Sequence, residues 1–527
     1  MKKIIITDSV DTKCVSILES AGHQVAYKPG MPKDEIKKVI NEYNGLVVRS
    51  ATKVTSDIIS LMDNMEVIGR AGTGVDNIDI EAATRKGIMV MNTPGGNTVS
   101  AAEHTMALML TMCRNTAQAN QSMRAGKWER KNFQGTELQG KVIGVIGLGK
   151  IGREVAIRSK AFEMNVIGYD PVLSDEVASK LGIKPVKLDE IFEQSDIITI
   201  HVPKSDETKN LISEKTLAKC KAGVKIINCA RGGIVNEADL VKAINEGKVS
   251  AAALDVYSSE PPDFSGELIQ HPKIVTTPHL GASTEEAQEK VAVQIAEQMV
   301  DLFNDKPVRG AVNASAMGAS VNKDIHPYIK LGENLGILHA QLIQGQLKKI
   351  DINYSGQLLH SSTTLLSTAV LKGFLSRMMT EAVNLINAPY LAKEMGIVIN
   401  ETKSGANSTY TNLLTVEFTS DKEKRSFAGT VIGNNEIRIV NIDNYLLELK
   451  PEGNLLFYSN IDRPGILATV SKILAEENIN IAGLSLGRNE MGKEALTVIN
   501  VDSEIEKKSI DSISAISGVH KVIAVKI

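Results

Sequence analysis

One short stretch constrains the fold more than any other. Gly147-Leu148-Gly149-Lys150-Ile151-Gly152 stands between an aliphatic run at residues 142–146 and a helical pattern at 150–162. The next aliphatic run, 166–169, ends in Asp170, 18 residues beyond Gly152. A chain with 41 glycines meets the bare glycine spacing by chance, so the flanking strands, helix and acid carry the signal. Gly147 suits a tight turn, Gly149 a close approach of backbone N–H groups to a pyrophosphate, and Gly152 close packing of helix on strand. The pattern predicts a βαβ dinucleotide fold, with Lys150 and Ile151 opening the helix and Asp170 on the adenosine ribose. A carboxylate there repels a 2′-phosphate, and Pro171 offers no compensating base, so NAD is favoured over NADP.

The surrounding pattern is of the same kind. Aliphatic runs at 4–7, 45–49, 67–70, 89–92, 142–146, 166–169, 197–201, 225–229, 252–256 and 274–276 alternate with helical stretches. Strands apolar on both faces and separated by helices predict doubly wound parallel α/β sheets, too many strands for one small sheet. A break at residues 92–97 precedes a long helical stretch, 99–114, and marks a crossing into a second lobe. Another long helix opens at Ser283-Thr284-Glu285-Glu286, with capping-box spacing from Ser283 to Glu286, and carries the chain back.

After Asn313-Ala314-Ser315 the character changes to α+β: a helix at 327–344, then polar strands, two of them flanking a Gly433-Asn434-Asn435 turn. Lys403, Arg425 and Arg438 are candidate anion ligands there, with residues 421–425 read as a solvated loop. The last 75 or so residues follow the β-α-β-β-α-β order of a ferredoxin-like binding module.

The length of 527 residues predicts three or four domains, each with its own core. A net charge of -3 supplies no global field for nucleic acid or an anionic membrane. The longest apolar run, 106–110, is too short to span a bilayer, and residues 1–8 read as a first strand. Cys14, Cys113, Cys220 and Cys229 are scattered, without ligand spacing, so no disulfide scaffold or metal site is expected; reduced thiols in the cytoplasm are.

Three strand ends downstream of the glycine loop carry chemistry: Arg231 after Asn228-Cys229-Ala230, Glu260 after Asp255-Val256-Tyr257, and His279 in Thr277-Pro278-His279. Strand ends of an open α/β sheet converge on the ligand crevice. There His279 would take the proton of a substrate hydroxyl, Glu260 would orient the imidazole and stabilise its cation, and Arg231 would fork onto a carboxylate. Asp255 would fix the nicotinamide side of the cofactor.

Arg231, Glu260 and His279, together with the glycine loop, resemble the D-isomer-specific 2-hydroxyacid dehydrogenases over about residues 1–315. Residues 48–52, 69–77 and 126–130 resemble the branch acting on a phosphorylated acid, in its long form with an intervening domain and a C-terminal ACT domain. The resemblance implies a substrate-binding domain at 1–97 and 283–315, flavodoxin-like, with an NAD-binding Rossmann domain at 98–282 inserted in it. The intervening domain then covers 316–450 and the ACT domain 451–527. It further implies oxidation of 3-phospho-D-glycerate with NAD in serine biosynthesis.

By the same resemblance Thr73, Val202, Pro203, Cys229, Ala230, Gly281 and Ala282 line the cofactor with the residues above. Arg49, Ser50, Arg70, Gly72, Thr73, Gly74 and Asn97 would hold the substrate; surface arginines are the alternative for Arg49 and Arg70. L-serine would bind at Asn460, Asp462 and Asn480, with Asn460 standing where relatives often carry His. Trp128 would lie at an interface of a homo-oligomer, a dimer or tetramer; a partly buried surface anchor is its alternative. An unphosphorylated acid such as 2-oxoglutarate as substrate, and an NAD-sensing corepressor, are the rival readings.

Overall fold

Between Lys3 and Thr276 the strands pair only in parallel, as aliphatic runs covered on both faces require. The computed structural model describes residues 1–314, 322–405, 409–433 and 435–527. The first sheet holds β1 (Lys3–Ile6), β2 (Gln24–Tyr27), β3 (Gly45–Val48), β4 (Val67–Arg70) and β5 (Met89–Met91) in the order β2-β1-β3-β4-β5. The second holds β6 (Val142–Ile146), β7 (Asn165–Tyr169), β8 (Lys184–Pro185), β9 (Ile197–Ile200), β10 (Val224–Asn228), β11 (Val249–Leu254) and β12 (Ile274–Thr276) in the order β12-β11-β10-β9-β6-β7-β8. The first order is flavodoxin-like; the second is the dinucleotide-binding order with one strand added.

The helix Thr98–Arg114 leads out of the first sheet, and the helix Glu285–Phe303 returns to it, where Val291, Ile295 and Met299 pack on Val47, Val67 and Met91. The nucleotide sheet is thus an insertion. The returning helix is capped one residue later than its sequence suggests: Thr284 Oγ1, not Ser283, accepts from the Ala287 N–H at 3.2 Å.

The next sheet contains β13 (Leu347–Ser355), β14 (Val398–Ser404), β15 (Leu413–Ser420), β16 (Lys424–Ile432), β17 (Glu436–Ile442) and β18 (Tyr445–Leu449), in the order β14-β13-β15-β16-β17-β18. Helices His326–Leu342 and Thr363–Met378 cover it and lie close together because Gly336 and Gly373 stand where a Cβ would meet the other helix's backbone at 2.1 and 2.0 Å. The β16–β17 hairpin forms as expected; Asn434 of its turn, and Ser315 at the change of character, lie outside the described residues. The supposedly solvated segment 421–425 ends inside the fold, because Arg425 is buried on β16 and paired with Asp443 at 2.9 Å. Lys403 donates to the His360 carbonyl, and Arg438 pairs with Glu436 and Glu448.

The last sheet holds β19 (Asn454–Ile461), β20 (Ile481–Arg488), β21 (Glu494–Val501) and β22 (Val519–Lys526) in the order β20-β21-β19-β22, the ferredoxin-like arrangement. Its two helices cover one face, over Leu456, Tyr458 and Ile499. On the other face Leu455, Phe457, Leu496, Val498 and Val525 join one core with Leu338, Phe374, Phe418 and Phe427. The last two domains therefore share a core where separate cores were expected. Leu455-Leu456-Phe457-Tyr458 explains it: alternate side chains on a strand face opposite ways, and all four are buried.

This C-terminal half rests on the first lobe beside the helix Ile80–Arg85. Asn384 Nδ2 donates to the Gly87 carbonyl at 2.7 Å, Asn387 Nδ2 to that of Arg85 at 3.3 Å, and the Tyr390 hydroxyl to Glu81 at 2.9 Å. Among the described residues no helix is long and apolar enough to cross a membrane.

Candidate active site

The glycine loop has the shape a pyrophosphate needs. Gly147 has φ 93°, and a Cβ there would meet the His201 carbonyl oxygen at 2.5 Å; at Gly152 it would meet the Gly147 oxygen at 1.9 Å. At Gly149 nothing lies within 4 Å, so the backbone is open on the side a phosphate would approach. Asp170 draws the loop to the end of β7 through the Leu148 N–H at 2.7 Å. Burial opposes its charge, but the N–H groups of Leu173, Val172 and Leu148 hold the carboxyl below its ordinary range, so it stays ionised. The residues present fit NAD.

Val202 and Pro203 follow β9, and Cys229 and Ala230 follow β10, all at the strand ends beside this loop. Lys150 opens the helix but points elsewhere, donating to the Pro94 carbonyl at 3.2 Å where the chain crosses between lobes. Ile151, one residue on, packs against the core under the glycine loop.

Across the crevice His279 Nδ1 lies 2.8 Å from Glu260 Oε2, leaving Nε2 for a substrate; the imidazole side chain is 46% exposed. Burial disfavours the Glu260 charge, but the hydrogen bond and charge of His279 and the Tyr257 N–H outweigh it and hold the carboxyl below its usual range. Asp255 follows β11, behind this pair. It is wholly buried, with Oδ1 accepting from Leu280 N at 2.7 Å and Oδ2 from Gly281 N at 2.8 Å. Ala282 continues the same loop.

A cleft of about 610 Å³ between the lobes brings Ser50, Arg70 and Asp76 opposite Arg231, Glu260 and His279. Arg70 Nε is anchored on the Arg49 carbonyl at 3.1 Å. Its guanidinium is pushed down to about 10, first by burial and then by the charges of Arg231 and Arg49, despite Asp76 and Asp8. Gly72 leaves room for it and Gly74 for Arg231: a Cβ at Gly72 would meet Arg70 Nη1 at 1.8 Å, and one at Gly74 would meet Arg231 Nη2 at 1.9 Å. The Thr73 hydroxyl donates to Asn97 Oδ1 at 2.8 Å beside them.

The structure also supplies partners that the sequence reading missed. Asp8, buried at the end of β1, accepts from the backbone N–H groups of Arg49 and Thr52 at 2.6 and 3.0 Å, fixing the loop that carries Arg49 and Ser50. Lys53 and Lys204 add positive charge to the cleft. Asp76 meets Arg231 Nε at 2.9 Å. Of these only Asp76 left a signal, two residues after the Gly72-Thr73-Gly74 run.

The candidate effector residues do not meet within one chain. Asn460 and Asp462 lie at one end of the β19–β21 ladder, beside Ala495 and Glu494. Asn480 precedes Ile481, which pairs with Val501 at the other end, because the intervening helix runs the length of the sheet. Asn480 bonds Asp502 at 2.7 Å and Asp462 pairs with Arg488 at 3.1 Å.

A nucleotide sheet inserted in a flavodoxin-like lobe, with a histidine–carboxylate pair facing an arginine cluster across the cleft, defines a D-2-hydroxyacid dehydrogenase, an NAD-binding oxidoreductase. The D-isomer specific 2-hydroxyacid dehydrogenase NAD binding domain matches residues 106–281, the D-3-phosphoglycerate dehydrogenase intervening domain 324–443, and the ACT domain 454–518. The chain is 41% identical over 528 residues to D-3-phosphoglycerate dehydrogenase from Synechocystis sp., covering 100% of this chain and 95% of that one. It is 40% identical over 528 residues to the enzyme of that name from Methanocaldococcus jannaschii, covering 100% of both. The chain belongs to the D-3-phosphoglycerate dehydrogenase family. Among solved structures, NAD-dependent formate dehydrogenase from Staphylococcus aureus in complex with NAD matches 59% of this chain and 99% of that one, with TM-score 0.54 and 28% identity. A glyoxylate reductase from Paecilomyes thermophila matches with TM-score 0.55 and 28% identity over 59% of this chain and 98% of that one.

Proposed function

We propose that the chain oxidises 3-phospho-D-glycerate to 3-phosphooxypyruvate with NAD, the entry step of L-serine biosynthesis. The observation that carries the substrate is the arginine cluster. Burial, and then the charges of Arg231 and Arg49, push the Arg70 guanidinium down to about 10, so it stays a cation beside two others, a concentration of positive charge that suits an acid carrying both a carboxylate and a phosphate. Residues 1–97 and 283–315 hold the substrate in this reading, 98–282 hold NAD, and 316–450 and 451–527 regulate.

The chemistry NAD supplies when bound is acceptance of a hydride. Gly147 to Gly152 and Asp170 hold it at one end; Thr73, Val202, Pro203, Cys229, Ala230, Gly281 and Ala282 enclose it. Arg231 grips the substrate carboxylate together with the backbone N–H groups of residues 72–74, Arg49 and Arg70 take the phosphate, and Ser50 and Asn97 complete the site. His279 removes the 2-hydroxyl proton at Nε2, because Nδ1 is committed to Glu260. The Glu260 carboxylate, held below its usual range, steadies the resulting imidazolium.

L-serine is the effector proposed for the ACT domain. Asn460 Oδ1 is buried without a hydrogen-bond partner, which leaves an acceptor for an ammonium group. Since Asn480 lies at the far end of the sheet, a second copy of the chain would have to supply it. Trp128, 80% exposed and so not a partly buried anchor, supports a further contact between copies. The test follows NADH absorbance with 3-phospho-D-glycerate, D-lactate or 2-hydroxyglutarate, with and without L-serine, alongside a measured solution mass. Reduction of NAD with phosphoglycerate supports the reading, and no turnover in either direction refutes it.

A further inference from the structure

The helix that leaves the first lobe runs behind the catalytic loop, and two of its side chains reach that loop. Ser100 Oγ donates to the Gly281 carbonyl at 2.9 Å. His104 Nε2 stands 3.1 Å from both Asp255 Oδ1 and Thr277 Oγ1. Asp255 in turn accepts from Thr277 Oγ1 at 2.6 Å, from Leu280 N at 2.7 Å and from Gly281 N at 2.8 Å, while its carbonyl accepts from the His279 N–H at 2.9 Å. All of these bonds except that between His104 and Asp255 end on residues 277–281. That segment holds His279 at φ 55°, a conformation few non-glycine residues adopt unless their surroundings impose it.

We propose that His104 is a positioning residue for the dehydrogenase reaction: acting through Asp255, it holds the catalytic loop so that His279 meets Glu260. His104 does not line the cleft, yet among the described residues it is the one basic side chain paired with this buried carboxylate. A buried charge that loses such a partner is costly where it stands, and among the described residues the loop's own N–H groups are its only other partners besides Thr277. A shift of about 1 Å in a catalytic side chain is enough to cost about 100-fold in rate. The helix starts at Thr98, next to Asn97 and its bond to Thr73, so the same contact ties the loop to the point where the chain passes between lobes.

The kinetic half of the test rests on the dehydrogenase reading; the other half does not. His104→Leu removes the donor, and His104→Gln offers an amide N–H near the position of Nε2. With phosphoglycerate and NAD, His104→Leu is expected to lower kcat about 10- to 100-fold with KM for NAD within about twofold, and His104→Gln to recover to within about threefold of wild type. The isotope effect with C2-deuterated phosphoglycerate should rise in His104→Leu as hydride removal becomes rate-limiting. Independently of turnover, hydrogen exchange at the Leu280 and Gly281 amides should speed up in His104→Leu and stay slow in His104→Gln. Unchanged exchange at both amides in His104→Leu overturns the inference even if the chain proves inactive on phosphoglycerate. So does a kcat within about twofold of wild type, or an equal loss in the two variants.

Discussion

Asp76 and Arg231 join the two lobes across the cleft: Arg231 Nε donates to Asp76 Oδ2 at 2.9 Å, so a carboxylate of the protein occupies the arginine that the substrate carboxylate is proposed to use. A substrate must share or displace it. Asp76→Asn keeps the shape and removes the competing charge. An exposed pair of this kind contributes about 0.2–1 kcal/mol, so KM for phosphoglycerate should fall about 1.4- to fivefold. A rise in KM would show that Asp76 orients Arg231 more than it competes for it.

The pair at the other side of the cleft should behave differently. His279→Gln is expected to lower kcat by about 100- to 10,000-fold and Glu260→Gln by somewhat less, each with little change in NADH affinity measured by fluorescence quenching. Weakened NADH binding at unchanged kcat would place the pair in cofactor binding.

Arg70 is the residue proposed to separate phosphorylated from plain hydroxy acids. Arg70→Lys keeps a cation but loses the fork, and a lost charge-assisted hydrogen bond costs about 1.5–3 kcal/mol. KM for phosphoglycerate should therefore rise about 10- to 100-fold while any turnover of 2-hydroxyglutarate changes little. Equal losses on both acids would move Arg70 to the carboxylate end.

Asp170, proposed to hold the adenosine ribose, ties a prediction on specificity to one on acid stability. Asp170→Ser should reduce the preference for NAD over NADP, read from kcat/KM for each. In the folded chain the carboxyl lies below its ordinary value of 3.8, so it favours the fold above that value and loses its contribution as pH falls through the lower, folded value. The melting-temperature gap between wild type and Asp170→Asn should be widest near neutral pH and close below about pH 4. A gap that widened in acid would reverse the sign of the argument.

Phe457 is predicted to matter to two domains at once. Phe457→Ala, in the shared core, should cost about 3–5 kcal/mol and lower the melting of the intervening domain together with the ACT domain. Two separate transitions, only one of them shifted, would contradict the common core. A chain ending before Asn454 should aggregate for the same reason, since it would expose the apolar half that β19 and β21 cover.

The central strands were legible because Val142–Ile146, Ile197–Ile200 and their neighbours are apolar on both faces, a pattern only buried parallel strands tolerate. β2 and β8 were not, because edge strands need no such run: Gln24 and Lys184 are exposed. Arg231, Glu260 and His279 could be placed in one cleft because strand ends converge in such sheets. Their supporting partners could not. Asp8, Asp76 and His104 act on residues 41, 155 and 151 positions away, and no local pattern records a contact of that length. Asp255 could be placed at the end of its strand, but its full burial and its bonds to Leu280 and Gly281 could not, since sequence gives a residue's strand and not its depth.

One hydrophobic core leaves no place for an internal joint. Whatever an effector does at the Asn460 end of β19 cannot be the swing of a tethered module, because that strand is also a wall of the domain before it. A response carried through that wall moves the two domains together. Their foothold on the rest of the molecule includes the patch where Asn384, Asn387 and Tyr390 grip the Ile80–Arg85 helix, whose cap, Asp79, lies three residues from Asp76.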